Sequence, residues 1–213
     1  MTTTLRAYHG DPKLKAKYLR RVRAHATADQ IIKGQYWQHG KGCAVGCTIH
    51  SDRHADYETL LGIPHEVARL EDVIFEGLPN GAAKAWPSRF LRAIRPGADL
   101  SLVVPRFLIA LQERRYAALD EAGLRLVGPA MRGVIALLQT WAATGAVDAS
   151  AARSAESAAA SAAWSAAESA AESAARSAAR SAARSAESAA RSAARSAEYT
   201  WQADTLLSLL AAA

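Results

Sequence analysis

From Asp148 to Ala213 the chain has neither glycine nor proline, and serine recurs there every three or four residues. Between Ser154 and Ser196 the steps are 3, 4, 4, 4, 4, 4, 4, 4, 3, 4 and 4, with alanine in most gaps and Arg, Glu or Trp164 in the slot that remains. Nothing in this stretch breaks a helix, and alanine has the highest helix propensity of any residue. The composition predicts one helix from Asp148, a fair N-cap, to about Leu210, roughly 90 Å long at the rise of an α-helix. A four-residue step advances a helix by about 400°, so the serine stripe drifts by about 40° per repeat. A two-stranded coiled coil needs a seam that does not drift, and it explains this pattern poorly. Two arrangements fit: a rod of small residues wrapped by other helices, or a rod locally unwound as in a π-bulge. The first is preferred. Tyr199, Trp201, Leu206, Leu207, Leu209 and Leu210 would then anchor the end of the rod.

Half of the residues are hydrophobic but only 7% are aromatic, and much of the apolar count is tail alanine. A conventional core must come from residues 1–147. There Asp11-Pro12 reads as an N-cap followed by proline at the first helical position, and Gly34 as a stop. Leu14, Tyr18, Val22, Ala26 and Ile32 share one face between them. Further helices are predicted over Cys43–Leu61, Pro64–Glu76, Trp86–Ile94, Asp99–Asp120 (kinked or restarted at Pro105) and Pro129–Ala143, each bounded by Gly or Pro. No alternating β-branched run is long enough for a strand. The expected fold is all-α: a multi-helix body, residues 1–147, packed around or against a long Ser/Ala-rich helix, residues 148–213, within one fold.

The formal net charge of +6 is concentrated. Residues 12–33 hold seven bases and one acid, whereas residues 148–213 hold six bases and seven acids. Lys13, Lys17, Arg20, Arg21 and Arg23 lie around the polar face of the first helix. A concentrated basic face attracts acidic proteins, phosphates or membrane surfaces. The plainer reading is a solvated face that favours solubility. The opening residues lack the apolar core of a secretion signal, and no stretch is apolar enough to span a bilayer. Two cysteines, Cys43 and Cys47, are poorly placed for a structural disulfide, which fits a reduced, cytoplasmic setting.

Two constellations could carry chemistry. On one continuous helix, Cys43, Cys47, His50 and His54 would form a stripe at spacings of four, three and four. Cys47, His50 and His54 are thus weak candidates for metal ligands, although two buried thiols and two satisfied histidines explain the pattern as well. No metal or other cofactor is expected. Cys43 also follows Gly40-Lys41-Gly42 at a predicted helix start, where dipole and free amides favour a thiolate or hold an anion. His25 and Asp29, four apart and read as inward, would complete a triad with Cys43. A His–Asp pair that merely ties helices together is the bland alternative. Tyr18, Trp37 and Lys41 near the basic face give only a faint nucleic-acid signal, because no recognised binding motif accompanies them. Glu71, Asp72 and Glu76 read as the solvated face of their helix.

The tail resembles the alanine-rich helical repeats of some bacterial immunity proteins of polymorphic toxin systems. The stretch Gly-Lys-Gly-Cys-Ala-Val-Gly-Cys, with Leu61-Gly-Ile-Pro and Ile74-Phe-Glu-Gly-Leu-Pro, is similar to bacterial and phage proteins that carry such tails. The resemblance implies an origin in bacteria or phage, in a conflict system, and assigns no functional residue. The expected function is a non-enzymatic binding protein. It would engage an acidic protein or anionic small ligand through Lys13, Lys17, Arg20, Arg21, Lys41 and Gly42. The alternatives are a Cys43-dependent hydrolase or acyltransferase, and a structural protein that forms a homo-oligomer through the Ser/Ala helix.

Overall fold

The structure, a computed structural model, describes residues 5–145 and 184–213, with side chains in the second stretch from Arg191 onward. The regular secondary structure of the described residues is almost entirely helical. In chain order they form α1 (Pro12–Thr27), α2 (Ala44–Ile49), α3 (Asp56–Leu61), α4 (His65–Gly77), α5 (Asn80–Ala93), α6 (Val103–Ala117), α7 (Glu121–Leu126), α8 (Gly128–Thr144) and α9 (Arg184–Ala212). The exception is a minimal antiparallel pair, β1 (Trp37–Gln38) and β2 (Lys41–Gly42), with Trp37 opposite Gly42. Of the long tail helix, the part from Arg184 on is helical, and residues 148–183 lie outside the described residues, as does the expected boundary at 147.

The chain divides into two compact units, one of residues 1–104 with 194–213, the other of residues 105–193. In the first, α1 starts where expected: Asp11 accepts a 2.7 Å hydrogen bond from the Lys13 amide, and Pro12 occupies the first turn. Its apolar side, with Tyr18 and Val22 buried, packs on α5 and α2. All six residues of α2 are buried, so this short helix runs through the core with no polar face. Helix α4 covers it and contacts α3 and α5. Tyr57, Ile74, Trp86 and Phe90 fill the centre. The Trp86 indole N–H donates to the Glu71 carbonyl at 3.0 Å.

The end of α9 belongs to this unit. Ala203, Leu206 and Leu210 recur at helical spacing and are fully covered. The Tyr199 ring lies so close over Gly77 that a Cβ there would come within 2.2 Å of it. Arg89 pairs with Asp204 at 3.0 Å. The expected docking of the tail end onto the body is therefore seen.

Four element boundaries differ from expectation. Helix α1 stops at Thr27 rather than at Gly34, because Asp29 just beyond it turns left-handed (φ 54°), and Ile32 therefore lies outside the helix. The single helix expected over Cys43–Leu61 is two, because His50 takes a left-handed conformation (φ 58°) that ends α2, and α3 begins only at Asp56. Trp86-Pro87 does not open a helix. Helix α5 starts at Asn80, after Pro79, and carries Pro87 inside it. The segment expected over Asp99–Asp120 is shorter. Asp99 caps the turn at Ser101 instead, and α7 forms as a separate helix whose N-cap, Asp120, accepts from the Gly123 amide at 2.8 Å. Within the second unit α7 packs on α8, and Arg132 donates to the Tyr116 hydroxyl at 2.6 Å. Among the described residues no helix is long and apolar enough to cross a membrane.

Candidate functional site

The Gly-Lys-Gly-Cys-Ala-Val-Gly-Cys stretch is a seat for its own preceding loop. A Cβ on Gly42 would lie 1.9 Å from the Tyr36 carbonyl oxygen, and one on Gly46 would lie 1.5 Å from the same atom. Both glycines are needed because the backbone at Tyr36–Trp37 rests directly on β2 and α2. The Cys43 amide, expected to be free at a helix start, donates to the Gln35 carbonyl at 2.7 Å. Gly42 is buried and takes part in a backbone ladder, its amide donating to Gln30 and its carbonyl accepting from Ile32. The turn therefore does not present Gly42 and the Cys43 amide to an anion. Lys41, between the two glycines, is exposed.

The two thiols are likewise committed to the interior. Burial, with the Asp72 carboxylate adding, pushes the Cys43 thiol far above its ordinary range. The Cys47 thiol, pushed up to about 11 by burial, lies 3.3 Å from the Gly42 carbonyl, to which it donates. Burial thus holds both thiols in the neutral form and opposes the thiolate that nucleophilic attack requires.

The structure gives Cys43, His25 and Asp29 three different partners. Asp29 lies beyond the end of α1 with φ 54° and points to solvent, where Lys84 binds it at 2.5 Å and holds its carboxyl below the usual range. His25 turns both ring nitrogens elsewhere: Nδ1 lies 2.6 Å from Gln30 Oε1, and Nε2 lies 2.9 Å from His50 Nε2. An amide oxygen only accepts, so His25 Nδ1 carries the proton and donates. In the neutral ring His25 Nε2 then accepts from His50 Nε2–H. Trp37 stacks on His50 at 4.2 Å between ring centres and meets His25 edge-on at 5.3 Å. Burial, then Arg21 and His25, lower the His50 pKa from its ordinary value.

Cys47, His50 and His54 are also separated, because the stripe that would have aligned them ends at Ile49. His54 reaches Asp72 at 3.3 Å instead. Among the described residues the metal-compatible group of three is Glu58, His65 and Glu66. There the imidazole lies between two carboxylates, 2.7 Å from Glu58 and 3.4 Å from Glu66, which accounts for the cluster without an ion.

The acidic residues of α4 do not form one solvated face. Glu71 is fully buried and accepts from the Tyr57 hydroxyl at 2.7 Å. Its Oε1 has no hydrogen-bond partner, and burial raises its pKa to about 8. Asp72 and Glu76 line an open cleft of about 230 Å³ with Gly34, Gln35, Tyr36 and Cys43. Both Glu76 oxygens accept from the Gly34 amide, at 3.0 and 3.2 Å. The Tyr36 ring meets His54 edge-on.

The basic face of α1 divides into cations that donate to backbone carbonyls and exposed cations that do not. Lys15 donates to the Arg92 and Ile94 carbonyls at the end of α5, at 2.8 and 2.6 Å. Arg21 lies over Tyr18 and donates to the Thr48 carbonyl at 3.0 Å, so it caps α2. Lys13, Lys17, Arg20 and Arg23 are exposed, and none of them forms an ion pair among the described residues. The first three fall at i, i+4 and i+7, one stripe about 10 Å long. Comparison with protein-family models, with curated proteins and with solved structures finds no match.

Proposed function

We propose that the protein is a non-enzymatic binding protein that engages an acidic partner protein through the outer face of α1. Lys13, Lys17 and Arg20, flanked by Arg23, carry this reading, because these exposed cations have no carboxylate partner among the described residues. Such a field speeds encounter with an opposite charge and favours one class of partner over another. A small anion would want a concave cationic site, whereas this stripe is the convex side of a helix and the cleft beside Cys43 is lined by Asp72 and Glu76. Arg21 and Gly42 are occupied in holding the fold, so they leave the binding set, and Lys41 remains at its margin. An acidic partner also suits a protein of a bacterial or phage conflict system, which the tail's resemblance to immunity proteins implies.

The test is the fluorescence anisotropy of labelled poly-glutamate titrated with the full chain across a range of salt. The combined K13Q, K17Q, R20Q and R23Q variant should bind about tenfold or more weakly at low salt, with a flatter salt dependence. A variant that removes the same charge at Arg92, Arg95, Arg106 and Arg115 should lose much less. Equal losses in the two variants would reduce the effect to net charge and contradict a binding face on α1.

A further inference from the structure

We propose that His25 and His50 form a binding site for a late first-row divalent metal ion, Cu²⁺ foremost and Zn²⁺ after it. Two imidazoles from different elements, α1 and the residue that ends α2, bring their Nε2 atoms to 2.9 Å of each other. Their ring centres are 5.1 Å apart. An ion about 2.0 Å from each nitrogen, on the axis of each ring, would see them at an angle of roughly 105°. To admit it the nitrogens would separate by about 0.3 Å and each ring would turn by roughly 20° or more from its present hydrogen-bonded alignment. That angle lies within reach of a tetrahedral or a distorted tetragonal ion.

The surroundings hold both rings in place. Gln30 accepts from His25 Nδ1 at 2.6 Å, which fixes the tautomer that leaves Nε2 bare, as the outer partner of a metal-bound histidine does. Trp37 stacks on His50 within 10° of parallel and sets the plane of that ring. On binding, His50 moves its proton from Nε2 to Nδ1, so both nitrogens offer lone pairs and the proton count of the protein is unchanged. His50 is exposed, which leaves further coordination positions to water. The cationic neighbour is Arg21, tied to the Thr48 carbonyl, and it favours an ion that also carries an anionic or hydroxide ligand. Two neutral nitrogens select Cu²⁺, Ni²⁺ and Zn²⁺ over Mg²⁺ and Ca²⁺, with Cu²⁺ at the top of the order.

The experiment titrates the untagged full chain with CuCl₂, followed by calorimetry and by electron paramagnetic resonance. The expected result is saturable one-to-one binding, with superhyperfine coupling to two equivalent nitrogens. His25→Phe and His50→Asn should each abolish that signal, and Gln30→Leu should weaken binding about tenfold. His65→Ala, which dismantles the Glu58–His65–Glu66 cluster, should leave it intact. Coupling to fewer than two nitrogens in the native chain would overturn the proposal. So would a signal lost in His65→Ala and kept in His25→Phe.

Discussion

Glu71 is the residue whose environment departs furthest from what its type prefers. It sits in the core with one oxygen bonded to Tyr57 and the other without a partner, and its pKa rises to about 8. The folded state therefore binds a proton that the unfolded state releases above the ordinary value of 4.5. Stability should fall as pH rises through this window, by about 1.4 kcal/mol per unit at most, and level off above pH 8. Below pH 4.5 Glu71 is protonated in both states and contributes no slope. Glu71→Gln keeps an acceptor for Tyr57 and cannot ionise. Urea melts at several pH values should show that the native protein loses stability between pH 5 and 8 relative to this variant. A constant difference between the two would mean that Glu71 is not the titrating group. Helix periodicity placed Glu71 on its helix correctly, but not inside. The buried partner that Glu71 accepts from, the Tyr57 hydroxyl, comes from α3, and periodicity within α4 alone does not register it.

Among the elements, the central departure is the break after α2. Residues 43–61 are helical in composition, and their spacing aligned Cys43, Cys47, His50 and His54 on one stripe. Propensity does not register that the loop at Tyr36–Trp37 must lie against two glycines, nor that His50 turns left-handed to let the chain reverse. The candidate triad failed for a similar reason. His25 does face inward near α2, as its periodicity implied, but Asp29 falls after the last turn of α1, where Lys84 draws it outward. Gly46→Ala tests the seat directly. Its Cβ would meet the Tyr36 carbonyl, and with backbone on both sides neither can yield, so a loss of at least about 3 kcal/mol is expected in chemical denaturation. A loss below about 1 kcal/mol would show that the loop can lift away. For α9, the apolar positions at its end were legible as an anchor. Leu206→Ala should cost about 3 kcal/mol, since its side chain is fully buried. An effect no larger than that of an exposed position such as Ser208 would mean that the helix end is not part of the core.

At the scale of the molecule, the lysines divide into those the fold holds and those it leaves exposed. The sequence holds six lysines. Lys15 and Lys33 cap backbone carbonyls, at Arg92 and Ile94 and at Leu78, and Lys84 pairs with Asp29. These three belong to the fold, whereas Lys13, Lys17 and Lys41 are exposed without such partners. The concentration of charge in residues 12–33 was plain in the sequence, and so was the all-α class. Which cations are free was not, because that depends on which carbonyls and carboxylates distant elements bring to them. The most direct test of α1 as the binding face is lysine acetylation of the full chain, read by mass spectrometry with and without bound poly-glutamate. Lys13 and Lys17 should be protected when poly-glutamate is bound, while Lys15, Lys33 and Lys84 react equally in both states. Unchanged reactivity at Lys13 and Lys17, with protection elsewhere, would contradict it.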